Sequence, residues 1–196
     1  MGKGAETKDT ILARAVDLAS RIGLQALSIG RLSEEVGMSK SGLFAHFGSK
    51  EALQMETLRA AADSLLDNVA RPAFAEPRGE PRLRALLQRW LQWSRSKRMK
   101  GGCVFVHASA EFDDQPGAVR DLLLEQQQGW MNLLADSVRR AIAEGHLRAD
   151  VEPAQLAFEL NALILGYHYA DRMLRDPQAE HRLWHAVDQL LASCHH

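Results

Sequence analysis

Cysteine is nearly absent from this chain: Cys103 and Cys194 are the only two in 196 residues, and neither belongs to a CxxC or Cys/His spacing. A disulfide framework and a zinc knuckle are thereby excluded, and a reducing cytoplasmic setting is expected. The N-terminal MGKGAETKDT has no apolar core of the signal-peptide kind, and the longest apolar stretch, around Leu160 to Ala170, is too short and too interrupted to span a bilayer. No membrane partner is expected. Nor does the chain contain HExxH, G-x-S-x-G, a P-loop or a dinucleotide-binding glycine fingerprint. Cys103 and His107, four apart, do not alone make a nucleophile and its base, so neither an enzyme nor a cofactor is expected. His181 and His185 have chelating spacing but no third ligand, and no metal is expected.

β-Branched residues are also sparse, and no alternation of apolar and polar residues lasts long enough to make a strand. Ala, Leu, Glu, Gln and Arg dominate instead, and 46% of the residues are hydrophobic, enough to bury a core. An all-α fold follows. The net charge of −1 conceals a split, with seven Lys/Arg against five Asp/Glu over residues 1–50 and seventeen against twenty over 51–196. The first segment is the one suited to meet a polyanion.

Ile11, Leu12, Ala15, Leu18, Ala19 and Ile22 recur at helical spacing, which predicts a helix from Thr7 or Thr10 to Ile22, ended by Gly23. Ser28 is a suitable N-cap for a short helix stopping at Gly37, and a third begins at Ser39 and breaks near Gly48. From Ser49 a longer helix is expected to reach about Val69, with Pro72, Pro77, Gly79 and Pro81 marking a loop. Beyond it, helices are expected at about 82–98, 102–112, 117–144, 153–174 and 179–193, separated by Gly and Pro.

Residues 29–48, IGRLSEEVGMSKSGLFAHFG, carry the pattern of a helix-turn-helix. Leu32, Val36, Met38 and Leu43 supply a small shared core, Ser33 a short side chain at the crossing, and Gly37 the turn. The sequence that follows completes the string SKSGLFAHFGSKEAL. This string resembles the tetracycline-repressor (TetR) family, whose heads read as a helix, a helix-turn-helix and a Tyr-x-His-Phe-x-x-Lys-x-x-Leu stretch opening a linking helix. The match runs from Ile11 to Leu53. The resemblance implies a DNA-binding head at 1–48 and an effector-binding and dimerisation body at 49–196, with 49–70 as linking helix. It implies a one-component regulator, by family default a repressor, acting as a homodimer on a palindromic double-stranded operator.

Carried over residue by residue, the resemblance places Ser39, Lys40, Ser41 and Gly42 on the recognition helix, with Lys40 the residue for a guanine edge. Ser28, Phe44, His46 and Lys50 complete the DNA-contacting set, Lys50 beside the free N–H groups of the linking helix. Phe44 replaces the family's usual Tyr and cannot donate its hydrogen bond, though its ring is expected to pack beneath the recognition helix. Gly30 stands where some members place a longer contacting side chain. A helical ligand-binding or adaptor dimer that no longer binds DNA is the alternative.

In the body, Leu156 to Ala170 is apolar almost all round, and Leu183, Trp184, Val187, Leu190 and Leu191 make a second stripe. The resemblance implies that helices 153–174 and 179–193 form the homodimer contact, for which these stripes are suitable faces; the alternative is that both stripes are intramolecular core. Trp90, Trp93, Phe105, His107, Trp130, Phe158, Asn161 and Tyr167 concentrate aromatic groups and a few polar handles, which suits an apolar or aromatic small-molecule effector. For each singly, ordinary core packing is the simpler reading.

Overall fold

Serine hydroxyls start three successive helices in the first fifty residues. The computed structural model of the chain describes residues 3–196, and among these residues the regular elements are all helical. The first helix, α1 (Lys3–Ile22), begins earlier than the apolar spacing predicts. In α2 (Ile29–Val36), α3 (Lys40–Phe47) and α4 (Lys50–Leu65) the caps are Ser28, Ser39 and Ser49. Their hydroxyls accept from Arg31 N at 3.3 Å, Gly42 N at 3.1 Å and Ala52 N at 3.0 Å. Each satisfies one otherwise unpaired N–H. Between α2 and α3, Gly37 takes φ 69°, a left-handed conformation that a Cβ would strain.

Leu32 and Leu43 are fully buried between α2 and α3, whereas Val36 and Met38 are half-buried. Ser33 is buried where they cross, its hydroxyl donating to Gly30 O at 2.7 Å, so the small residue is also a satisfied one.

The helical path does not stop before Pro72, as the sequence predicts. A π turn (Leu66–Ala70) follows α4 and leads into α5 (Arg71–Phe74), which contains the proline. A proline ring inside an α-helix strikes the carbonyl four residues back and removes a donor. The wider π turn, with its i→i+5 bonding, relieves both conflicts.

There follow α6 (Glu80–Ser94), α7 (Val104–Phe112), α8 (Ala118–Ala143), α9 (Pro153–Arg172) and α10 (Ala179–Ala192). These agree with expectation to within a few residues except that α6 ends at Ser94. The segment beyond it folds into consecutive turns, with Met99 N donating to Ser96 O and Gly102 N to Met99 O, and tucks Met99 into the core at 2% exposure. None of the described helices is long and apolar enough to cross a membrane.

The chain forms two compact units. The first joins residues up to Leu66 with Trp93–Gln126, and its core includes Ile11, Leu18, Leu24, Leu53, Leu58 and Phe112. The second joins Asp67–Gln92 with Gln127–His196 around Leu83, Leu134, Leu160, Ile164 and Val187. Both α6 and α8 contribute to each.

Candidate nucleic-acid interface

A helix start without an acidic residue keeps its positive end available to an outside anion. That holds for α2 and α3, neither of which has Asp or Glu in its first turn. The two starts meet. A Cβ placed on Gly30 would lie 3.6 Å from Cε and 3.8 Å from Nζ of Lys40, and 3.9 Å from Ser28 Oγ. Gly30 thus leaves open the space over which the Lys40 ammonium reaches the start of α2, and Ser28 and Lys40 share one patch.

On α3 the Ser39 hydroxyl, committed as cap acceptor, also lies 3.2 Å from Ser41 Oγ. Gly42 permits this arrangement, since a side chain there would come within 3.1 Å of Ser39 Oγ. Lys40, Ser41 and Lys50 are exposed, and His46 is half-buried with its ring tilted against Phe47, centroids 6.2 Å apart. Phe44 departs from expectation. Leu43 and Phe47, one turn apart, form the buried face of α3, and the next position is rotated about 100° away. Its ring therefore lies outward, 58% exposed, rather than beneath the helix.

Polar groups, several of them buried, hold this patch to the rest of its unit. Gln54 Nε2 donates to Leu24 O at 2.7 Å. Asp17 and Ser20, on the buried face of α1, accept from Lys100 N and Gly101 N, each at 3.0 Å. Arg21 joins α1 to α2 by pairing with Asp17 at 3.2 Å and Glu35 at 2.8 Å. Hydrogen bonding to Glu35, against a cost of desolvation and helped by the Asp17 charge, raises the guanidinium above its ordinary pKa. Lys8 bridges α1 to Glu56 of α4 at 2.6 Å, its ammonium 5.7 Å from the centre of the Phe47 ring. A polar residue inside an apolar stripe, as at Asp17, is the signal that finds part of this set. Glu111, which accepts from Leu24 N and Gln25 N, carries no such signal.

The aromatic residues of the body fall into both units. In the first, Trp93 stacks on Phe105, centroids 6.2 Å apart, and its indole donates to Ser64 Oγ of α4 at 3.0 Å, while His107 on the same helix as Phe105 is half-buried. In the second, Trp90 meets Tyr167 edge-on at 6.1 Å, and Trp130 Nε1 donates to Asn161 Oδ1 at 3.1 Å. Phe158 joins neither group. It is 61% exposed on the outer face of α9, in line with Leu165, Tyr169 and Met173. The apolar stripe of α10 is used within the chain, where Leu183, Val187 and Leu191 are buried and Trp184 and Leu190 half-buried. The His181 and His185 rings lie parallel, centroids 6.4 Å apart, and among the described residues no group of three or more His, Cys, Asp or Glu is placed to hold a metal.

Residues 11–56 match the family described as bacterial regulatory proteins, tetR family, and residues 79–187 match the tetracyclin repressor-like C-terminal domain. The HTH-type transcriptional regulator RutR of Escherichia coli (strain K12) is 30% identical over 169 residues, covering 84% of this chain and 74% of that protein. Among solved structures, a TetR transcriptional regulator from Chloroflexus aurantiacus J-10-FL superposes with a TM-score of 0.84 at 25% identity, covering 98% of this chain and 96% of that one. AibR, solved in complex with isovaleryl coenzyme A and operator DNA, superposes with a TM-score of 0.67 at 22% identity, covering 81% and 84%.

Proposed function

The chain belongs to the TetR family of bacterial transcriptional regulators, and from that premise we propose that it is a repressor that binds a palindromic operator as a homodimer and is released by a small apolar or aromatic effector. The observation that carries the DNA-binding part is the patch at the acid-free starts of α2 and α3, where Ser28 and the Lys40 ammonium lie together. Lys40 is the base-reading residue; Ser28, Ser39, Ser41, Gly42, Phe44, His46 and Lys50 contact backbone or flank it. Residues 1–48 serve as the head, 49–196 as the body, and 49–70 as the link between them. The dimer forms through α9 and α10, which sets two recognition helices at successive major grooves, ~34–36 Å apart or a multiple of it.

Effector release requires a molecule that prefers the conformation with low operator affinity, because a ligand indifferent to the two states shifts nothing. The aromatic body residues suit such a molecule. AibR, a protein of similar fold, is solved in complex with isovaleryl coenzyme A and operator DNA, so a small molecule and an operator can occupy one such protein together.

Selection of bound sites from random duplex tests the reading and is expected to return a pseudo-palindrome. Lys50→Ala should weaken binding to all sequences alike and lower the salt slope by about one, since one phosphate contact releases roughly one counterion. Lys40→Ala should relax preference at one base pair per half-site, at a cost of about 1–3 kcal/mol. An unchanged selected motif would remove Lys40 from the base-reading role. A dimer that no longer binds DNA is the second reading, favoured by Phe44, which cannot make the hydrogen bond of the family's Tyr. It predicts almost no salt dependence toward any duplex.

A further inference from the structure

The turn between α1 and α2 is shaped around a carboxylate from far along the chain. Leu24 N and Gln25 N both donate to Oε2 of Glu111, at 2.7 and 3.0 Å, and Gln25 Nε2 donates to Gln115 Oε1 at 3.1 Å. Gly23 makes room, because with φ +86° it opens the turn, and a Cβ there would lie 1.9 Å from Glu111 Oε1. Two adjacent N–H groups converging on one oxygen form a small anion-binding concavity, here filled by the chain's own side chain. Ser28, the cap of α2 and part of the DNA-facing patch, is three residues beyond Gln25.

Glu111 lies near the end of α7, and the other end of that helix carries Phe105, which stacks on Trp93. The six-residue separation between them spans about 9 Å of helix, short enough to move as a rigid rod. Phe105, Trp93, Glu111 and the whole helix-turn-helix belong to the same compact unit. Lys100 N and Gly101 N pin the end of α1 at Asp17 and Ser20, and Gln54 holds Leu24 O, which leaves the Leu24 and Gln25 N–H groups to Glu111.

We infer that Glu111 is a positioning residue for operator binding: its carboxylate holds the α1–α2 turn, and through it the start of α2, so that a displacement at the aromatic end of α7 reaches the DNA-facing patch. This rests on the DNA-binding reading above. The bonds are charge-assisted and only partly buried, which makes them directional yet breakable, as a switch contact must be. Apolar packing supplies the stability; the carboxylate supplies the geometry.

Three variants of the full chain test it: Glu111→Ala, Glu111→Gln and Phe105→Leu, with the Glu111→Ala, Phe105→Leu double. Amide exchange is read at Leu24 and Gln25, and affinity for the selected operator by titration. Glu111→Ala should speed exchange at those two amides and raise Kd about tenfold, the size expected for loss of charge-assisted hydrogen bonds. Glu111→Gln, which keeps an acceptor oxygen in place, should stay within about threefold. Phe105→Leu should change Kd in the parent chain and leave it unchanged in the Glu111→Ala background, the non-additivity that marks coupled sites. The inference is overturned if the two amides exchange as before, if Kd for Glu111→Ala stays within twofold while they open, or if the effects of the two substitutions add. Should Glu111→Ala unfold, the readout is amide exchange in Glu111→Gln, whose weaker acceptor must still quicken exchange at Leu24 and Gln25; unchanged exchange there overturns the inference. A parent chain with no salt-dependent affinity for duplex removes the DNA-binding reading and this inference together, whereas normal binding with unresponsive variants removes this inference alone.

Discussion

Phe158→Glu combined with Leu165→Glu should leave a folded monomer that no longer holds its operator. Positions 158, 162, 165 and 169 fall on one helical face of α9. Phe158 is 61%, Leu165 44% and Tyr169 58% exposed, so the described residues leave much of this row open. An exposed apolar row of this length marks a surface for association. In a two-fold interface each substitution occurs twice, so four apolar side chains worth about 1.5–3 kcal/mol each are replaced by four carboxylates that repel one another. DNA affinity falls with the dimer, because a linked second head multiplies binding by about 10²–10⁴ through effective concentration alone. Sedimentation velocity reads the assembly state, a mobility shift reads the DNA, and circular dichroism should be unchanged. If the variant stays dimeric, the dimer forms elsewhere on the chain.

Leu43→Ala should destabilise the protein by about 2–5 kcal/mol, the range for deleting a fully buried leucine. Leu43 has no exposed surface, and it joins Leu32 in a core of few side chains that cannot collapse to fill the space. For a chain of this length the melting temperature should drop by roughly 5–15 °C, and operator binding should weaken as α3 loses its seat. The neighbouring Phe44→Ala is the control. With 58% of Phe44 exposed, stability should stay within about 0.5 kcal/mol. Equal losses in the two variants would mean that α3 presents a different face to the core.

Those paired residues also show what sequence reading reaches. The helices of the head were legible because their signals are local: serine before α2 and α3, glycine after α1, α2 and α3, and mostly apolar residues at the inward positions. The side on which Phe44 lies was not, because an aromatic residue beside an apolar one is equally at home inside or outside until the helix axis is fixed. Likewise Pro72 was read as a break, since the π turn that accommodates it depends on tertiary packing and has no composition of its own. The candidate DNA-facing residues were named from a motif whose spacing is rigid. Glu111 escaped because its partners are two backbone amides 86 and 87 positions away, and a backbone amide has no letter in the sequence.

The compact unit that contains the recognition helix also contains residues 93–126, and this bears on how interchangeable such heads are. Gene fusions that transplant a DNA-reading segment onto a foreign sensor work best where the cut crosses few interactions. Here a graft of the first fifty residues would leave Leu24 O without Gln54 and the Leu24 and Gln25 amides without Glu111, and would place Gly23 opposite whatever side chain the recipient happens to offer. Modularity in this protein therefore follows hydrogen-bond partners rather than chain order: a working chimera has to carry Asp17, Ser20 and Gln54 together with the 100–101 loop and Glu111, or rebuild the equivalent contacts in the host.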